Sequence, residues 1–371
     1  MRGLKSLSIL CIAVILTLYP FCCSANDNNA ITLIEQQDRR IECHPGKPST
    51  VKKGYSPITG EKCSENFQPI LVEFYNENGG VYATAPRGIT EADVIYEYLV
   101  NTNGQTGICA LFQDHLPSCV GPVGDASVGG MMAQAEWNCG YVYHDLPAHP
   151  DGSVSDLGYS LQAWIDNCGL TAGLDIFPAN VSNVKEWKSA FAEDASLIIE
   201  QNNYVDTNGI KQILERKRHA ANKCSRVFVD LKRYKEPDDA IPVAEVDIRT
   251  ASRVYSSGFV YDKEARVYAR WVGQANQYGD VSADEQLKVN NVIVQRVNYS
   301  VSDKNMAPSV VGQGNADIFM LGNYIEGYWV REAMDQPTRF YDSNGEPIKF
   351  VPGSTYILLL TNSTSVVILN Y

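Results

Sequence analysis

The chain has 371 residues, with 31 Lys and Arg set against 43 Asp and Glu for a net charge of −12 at neutral pH. A surface that acidic repels nucleic-acid phosphates and anionic lipid headgroups, so neither is an expected partner. The length is sufficient for two domains with cores of their own.

Taken in order, the first 25 residues read as a secretory signal. Arg2 and Lys5 make a basic start, Ile9–Leu18 a short apolar core, and Cys23-Ser24-Ala25 a small-residue exit before Asn26-Asp27-Asn28. The apolar run is shorter than the roughly 18 residues a membrane span needs, and no later run reaches that length. A lipoprotein is the rival reading, with Cys22 or Cys23 carrying the lipid, although Pro20-Phe21 ahead of them fit that anchor poorly. Both readings place the chain outside the cytoplasm, secreted or anchored by lipid. Cleavage after Ala25 removes Arg2 and Lys5 and no acid, leaving 29 basic against 43 acidic residues, a net charge of −14. Seven cysteines remain: Cys43, Cys63, Cys109, Cys119, Cys139, Cys168 and Cys224. Export makes disulfides the expectation, with Cys43–Cys63 and Cys109–Cys119 as local pairs, and the odd count leaves at least one thiol over.

Residues 26–66 are polar and broken by Pro45, Gly46, Pro48, Gly54 and Pro57, as in a surface extension. An N-terminal domain is expected over residues 67–235. It opens with a strand ending at Phe74, and a helical turn at Thr90–Asp93 leads into a β-prone run, Val94–Val100. A strand at Cys109–Gln113, a helix over Gly129–Asn138 and a short strand at Tyr141–Tyr143 follow. Two further helices are expected. Val184–Asn202 has Val184, Trp187, Phe191, Ala195 and Ile198-Ile199 at helical spacing, and Thr207–Lys223 has Thr207 as N-cap and Arg216–His219 near its end. The charged stretch Leu231–Ala240 marks the boundary to a C-terminal domain over residues 236–371. There, strands are expected at Val243–Ile248, Val254–Tyr261, Ala265–Trp271 and Asn291–Val297. An antiparallel meander then runs through Asp317–Leu321, Tyr324–Val330, Arg339–Tyr341, Pro347–Phe350, Tyr356–Leu360 and Val366–Leu369, punctuated by Gly322-Asn323, Asn344-Gly345 and Pro352-Gly353. The expected class is α+β: a mixed α/β N-terminal domain followed by a mainly antiparallel β domain.

Several blocks carry a family likeness. Gly88-Ile89-Thr90-Glu91-Ala92-Asp93-Val94-Ile95-Tyr96-Glu97-Tyr98 resembles the opening motif of the YerB-like family of exported bacterial lipoproteins, and Val120-Gly121-Pro122-Val123 its next block. Tyr261-Asp262, Arg270, Asn291–Gln295, Gly312, Gly314, Trp329, Pro337–Asp342, Gly345 and Pro352–Thr355 follow in the family's order, so the likeness runs from Pro69 to Leu360. It implies an extracytoplasmic, two-domain α+β protein without an assigned reaction. The chain departs where the family is most ionic: the family's Thr-Arg is here Thr106-Gly107, and its basic pair after Gly-Pro-Val is replaced by Gly124-Asp125-Ala126-Ser127. An anionic ligand held by those arginines would be lost.

The side chains suited to chemistry gather between residues 115 and 149. His115, His144 and His149 lie there beside Asp114, Asp125, Asp145, Asp151, Cys119 and Cys139. Cys119, Cys139, His144 and His149 are donors that zinc accepts, but their spacing matches no chelating motif and export favours disulfides. No metal and no cofactor is therefore expected. Cys139 and His144 as nucleophile and base lack a third, orienting group, and no Gly-x-Ser-x-Gly elbow exists. The histidines read equally as polar loop residues. Gly312-Gln313-Gly314 reads as a turn and not a phosphate cradle. Glu245, Asp247, Asp262 and Glu264 contain possible carboxylate pairs for glycan hydrolysis. Tyr324, Tyr328, Trp329, Phe340 and Tyr341 form either a sugar-stacking face or core. The ligand-binding candidates are thus His115, His144, Asp145, His149, Tyr328 and Trp329, with no catalytic residue assigned. The expectation is an exported, envelope-associated binding or accessory module whose partner is a cell-wall or envelope component; the alternative is a hydrolase of cell-wall glycan or peptide.

Overall fold

The structure, a computed structural model, describes residues 30–33, 52–63, 69–76, 86–113, 117–144, 176–178, 191–193, 203–206, 226–229, 241–249, 255–273, 276–277, 279–280, 285–302 and 305–369. Two large sheets dominate it. The larger has eleven strands, and its centre is built from both ends of the chain. From one edge it runs Arg339–Asp342, Asn323–Arg331, Gly312–Met320, Asn291–Arg296 and Thr355–Leu360. It continues through Val94–Leu99, Thr106–Phe112, Ile70–Phe74, Gly140–Tyr143 and Ile176–Pro178, while Ile241–Pro242 pairs with Asn323–Arg331 on the side. The seven-stranded sheet contains Ala30–Leu33, Ser365–Leu369, Glu245–Arg249, Ser257–Asp262, Val267–Val272 and Asn276–Gln277, with Lys288–Val289 against Val267–Val272.

These pairings correct the expected α+β class: the described residues are mostly β, with a single α-helix, Val128–Trp137. The mixed N-terminal domain rested largely on two helices that periodicity proposed. Inside the first, Phe191–Glu193 is a strand paired antiparallel with Asn203–Val205, because cross-strand pairing overrides a weak i, i+4 apolar pattern. The second, Thr207–Lys223, lies outside the described residues. The helix expected over Gly129–Asn138 forms as Val128–Trp137, and the turn at Thr90 forms as a short 3₁₀ segment, Ile89–Glu91.

The meander is correct only through Arg339–Asp342. Its first hairpin turns at Leu321-Gly322, both at positive φ (54° and 71°), which is the twist a two-residue hairpin needs. Pro347–Phe350 makes one bridge, Tyr341 to Pro347, and no strand. Thr355–Leu360 then leaves its sequence neighbours and lies parallel to Asn291–Arg296 on one side and to Val94–Leu99 on the other. Ser365–Leu369 crosses to the second sheet, between Ala30–Leu33 and Glu245–Arg249.

Alternation along the strands sorts the core into two layers. Ile95, Val292, Phe319 and Tyr356 of the large sheet pack against Val246, Phe259, Tyr268 and Ile368 of the other. On the opposite face of the large sheet, Leu71, Tyr96, Tyr141, Ile293 and Trp329 pack with Met131 and Trp137 of the helix. Strands buried on both faces read as continuous apolar runs, which is why ILVEF, VIYEYL and TYILLL are so uniformly hydrophobic.

The cysteines do not follow the expected local pairing. Cys109 is a free thiol, fully buried in mid-strand on the helix face of the sheet, so the Cys109–Cys119 bridge is not formed. Cys43, the expected partner of Cys63, lies outside the described residues.

Candidate functional site

Charged residues sit within those apolar strands, and burial obliges each to find partners. Between the two sheets, Glu97 is 1% exposed. Its Oε2 accepts from Arg270 (3.0 Å), the Ser257 hydroxyl (2.9 Å) and the Tyr356 hydroxyl (2.7 Å), while Thr106 donates to Oε1 (2.8 Å). On the helix face, Glu136 accepts from Arg331 (3.1 Å) and from the Thr338 backbone N–H (2.7 Å). A third pair joins Arg296 to Asp317 at 2.8 Å, with Tyr324 donating to the same carboxylate. All three carboxylates meet a guanidinium, whose planar fork suits buried pairing.

Glu73 does not. It is 2% exposed, in mid-strand on the helix face, and its partners are neutral. Tyr98 donates to Oε1 and Tyr141 to Oε2, the latter at 2.5 Å. Ser127 donates to the Tyr98 hydroxyl (2.8 Å) and, as N-cap of the helix, accepts the Gly130 N–H (2.9 Å). Burial pushes the Glu73 carboxyl up to about 8, against the opposing pull of the two phenols and with help from nearby Asp125. Burial likewise raises the Tyr98 and Tyr141 hydroxyls and the Cys109 thiol.

Glycines let the helix come this close. A Cβ at Gly129 would lie 2.4 Å from the Tyr98 ring, and one at Gly130 only 2.1 Å from the Tyr141 hydroxyl and 2.2 Å from Glu73 Oε2. Gly130→Ala, which would stabilise an open helix by about 1 kcal/mol, is therefore expected to destabilise this one by about 1–3 kcal/mol in urea unfolding. A gain in stability would mean the helix does not seat there.

The expected site residues do not gather at one place. His144 lies at the surface, where its Nδ1 meets Asp125 Oδ1 at 3.2 Å. Its backbone N–H donates to the Gly124 carbonyl, and Gly124 in turn donates to the Glu73 carbonyl, which puts the pair at the rim of the Glu73 chamber. His115, Asp145 and His149 lie outside the described residues. Tyr328 and Trp329 are buried, and the Trp329 indole N–H donates to the Arg296 carbonyl at 2.7 Å. Cys139 is buried too. Of the carboxylates considered for glycan chemistry, Glu245 has its carboxyl raised by partial burial and by neighbouring Asp247, while Asp262 caps a turn by accepting from Glu264 and Ala265. Among the described residues, no three His, Cys, Asp or Glu side chains are grouped to hold a metal, and no helix is long and apolar enough to cross a membrane.

Two stretches in which the resemblance expects basic residues, at Thr106-Gly107 and within Gly124–Ser127, border the same chamber. A Cβ at Gly107 would fall 2.5 Å from the Tyr98 ring, and Ser127 bonds the Tyr98 hydroxyl. The family described as protein of unknown function (DUF3048) matches over residues 58–220 with its N-terminal domain and over residues 246–357 with its C-terminal domain. The chain belongs to the DUF3048 family. The YerB protein of Bacillus subtilis, whose crystal structure is known, has the same fold: TM-score 0.66 at 19% identity, over 84% of this chain and 99% of that one. Comparison with curated proteins returns no match. The expected YerB-like kinship therefore holds.

Proposed function

We propose that this chain is an exported, envelope-associated protein that works as a ligand-binding or accessory module for a cell-wall or envelope component. The basic, apolar and small-residue order of Met1–Ala25 supports export, by signal cleavage or by lipidation of Cys22 or Cys23. The observation that carries the binding reading is the use made of buried charge. Glu97, Glu136 and Asp317 are each consumed by a buried arginine, the first two from a distant part of the chain, so they brace a framework and do not face a substrate.

Glu73 supports the hydrolase alternative. Cleavage of a glycan needs a carboxyl that holds its proton near neutral pH together with a second carboxylate, and Glu73 and Asp125 have those properties in outline. One experiment separates the readings. Purified protein incubated with isolated sacculi is expected to sediment with them and to release no soluble muropeptide or glycan. Soluble fragments that vanish with Glu73→Gln would establish the hydrolase instead, and protein left wholly in the supernatant would reject the binding reading.

A further inference from the structure

Among the described residues Glu73 is a buried acid with no counter-cation, seated under the first turn of the α-helix Val128–Trp137. We infer that Glu73 is a proton-operated latch: as a neutral acid it lets the helix Val128–Trp137 seat on the sheet, and its ionisation loosens that seat. The inference stands apart from the proposed function.

The groups facing Glu73 come from every element packed around it. They are Tyr98 from Val94–Leu99, Cys109 from Thr106–Phe112, Tyr141 from Gly140–Tyr143, Ser127 and Gly130 from the helix, and Asp125 from the loop before it. His144 stands at the rim, its ring against Asp125 and its backbone N–H on the Gly124 carbonyl. None is a cation fixed against the carboxyl. The helix N-terminus and the two phenols favour the anion, but burial outweighs them and holds the carboxyl near about 8.

The chain Glu73–Tyr98–Ser127 gives the proton a route. In the ionised form Ser127 donates to Tyr98, which donates to Glu73. In the neutral form both bonds run the other way: the acid donates to Tyr98 and Tyr98 to Ser127, and the half-buried Ser127 hydroxyl turns its proton toward solvent. One proton leaves to water, and the O–H of the N-cap Ser127 swings from solvent to Tyr98 while its oxygen still accepts the Gly130 N–H. The far end of the helix stays pinned, because Glu136 is held by Arg331 and the Thr338 N–H. Ionisation therefore frays the helix from its Gly129 end.

A carboxyl raised from 4.5 to about 8 by folding stabilises the fold fully below pH 4.5, and that contribution is lost as pH rises through about 8. The test compares the full chain with Glu73→Gln, which mimics the neutral acid, from pH 5 to pH 9. The wild type is expected to lose up to about a thousandfold in folding constant relative to the variant over that range. Amide exchange at residues 129–132 should accelerate in wild type beyond its intrinsic pH dependence, while residues 135–137 keep pace with it. A second measurement needs no variant: carbon-13 spectra of glutamate-labelled wild type should show one carboxyl titrating several units above the rest. Parallel stability profiles for the two proteins, or every glutamate titrating below about pH 6, would overturn the latch.

Discussion

Replacing Arg270 by methionine will cost the fold about 3–5 kcal/mol at pH 7, among the largest losses open to a single substitution here. The guanidinium is 1% exposed, donates to Glu97 from its Nη2 and stacks 5.1 Å from the Tyr356 ring centroid. Methionine fills much of the volume of the stem but leaves Glu97 in the interior without a cation. The carboxyl must then stay charged, at several kcal/mol of lost hydration, or take up a proton. Taking a proton at pH 7 costs about 1.4 kcal/mol for each unit above an ordinary value near 4.3, about 3–4 kcal/mol in all. That ceiling gives the variant a pH signature. A buried carboxylate stripped of its cation is relieved by protonation, so the deficit is expected to shrink toward pH 5 and to grow as pH rises. Adding Glu97→Gln removes the stranded charge and is expected to recover half or more of the loss, with the pH dependence gone. Urea midpoints at pH 5, 7 and 8.5 check both statements. Equal deficits in the single and double variants would show that Arg270 is needed for packing and not for its charge.

Much of the strand content was legible in the sequence because it depends on local alternation and turn chemistry. Gly322 and Asn344-Gly345 mark turns where positive φ occurs, although the first hairpin turns at Leu321-Gly322, one residue before the expected Gly322-Asn323. What was not legible is non-local pairing. Nothing in TYILLL says that its neighbours are residues 291–296, some way back in the chain, and residues 94–98, reached across more than 250 positions. A continuous apolar run announces burial on both faces without naming partners. The candidate site was missed for a related reason. Attention to histidine and cysteine led to His144, which is a rim residue, and attention to aromatic rings led to Trp329, which is core. The usable signal was a charge in the middle of an apolar strand run: Glu73 in ILVEF, Glu97 in VIYEYL, Arg270 in VYARWV. Such a residue is costly to bury, and a strand keeps it only with dedicated partners.

The shared sheet leads to the second large effect. Residues 30–240 and residues 241–371, produced separately, are each expected to lack cooperative structure, and to fold when produced together. Thr355–Leu360 fills the middle of the large sheet, in register with six residues of one part and five of the other. It sends Tyr356, Leu358 and Leu360 into the core between the sheets and Ile357 and Leu359 toward the helix face. The cut parts Ile70, Val72, Ile95, Ile108 and Phe112 of the first part from the second sheet in the same core, and exposing five such side chains forfeits about 10 kcal/mol at about 2 kcal/mol each, as much as the whole stability of an ordinary domain. Two ion pairs are divided by the same cut. Glu97 and Glu136 remain with the first part, and Arg270 and Arg331 with the second. Each part therefore keeps charges placed for burial beside an open strand edge, which favours association with the matching part over folding alone. Co-purification of an untagged part with a tagged one, and the spread of amide resonances before and after mixing, read the result directly. Well-dispersed spectra from either part alone would show that the two family regions are separable bodies, and that the parallel strand at their junction is an addition to structures already complete.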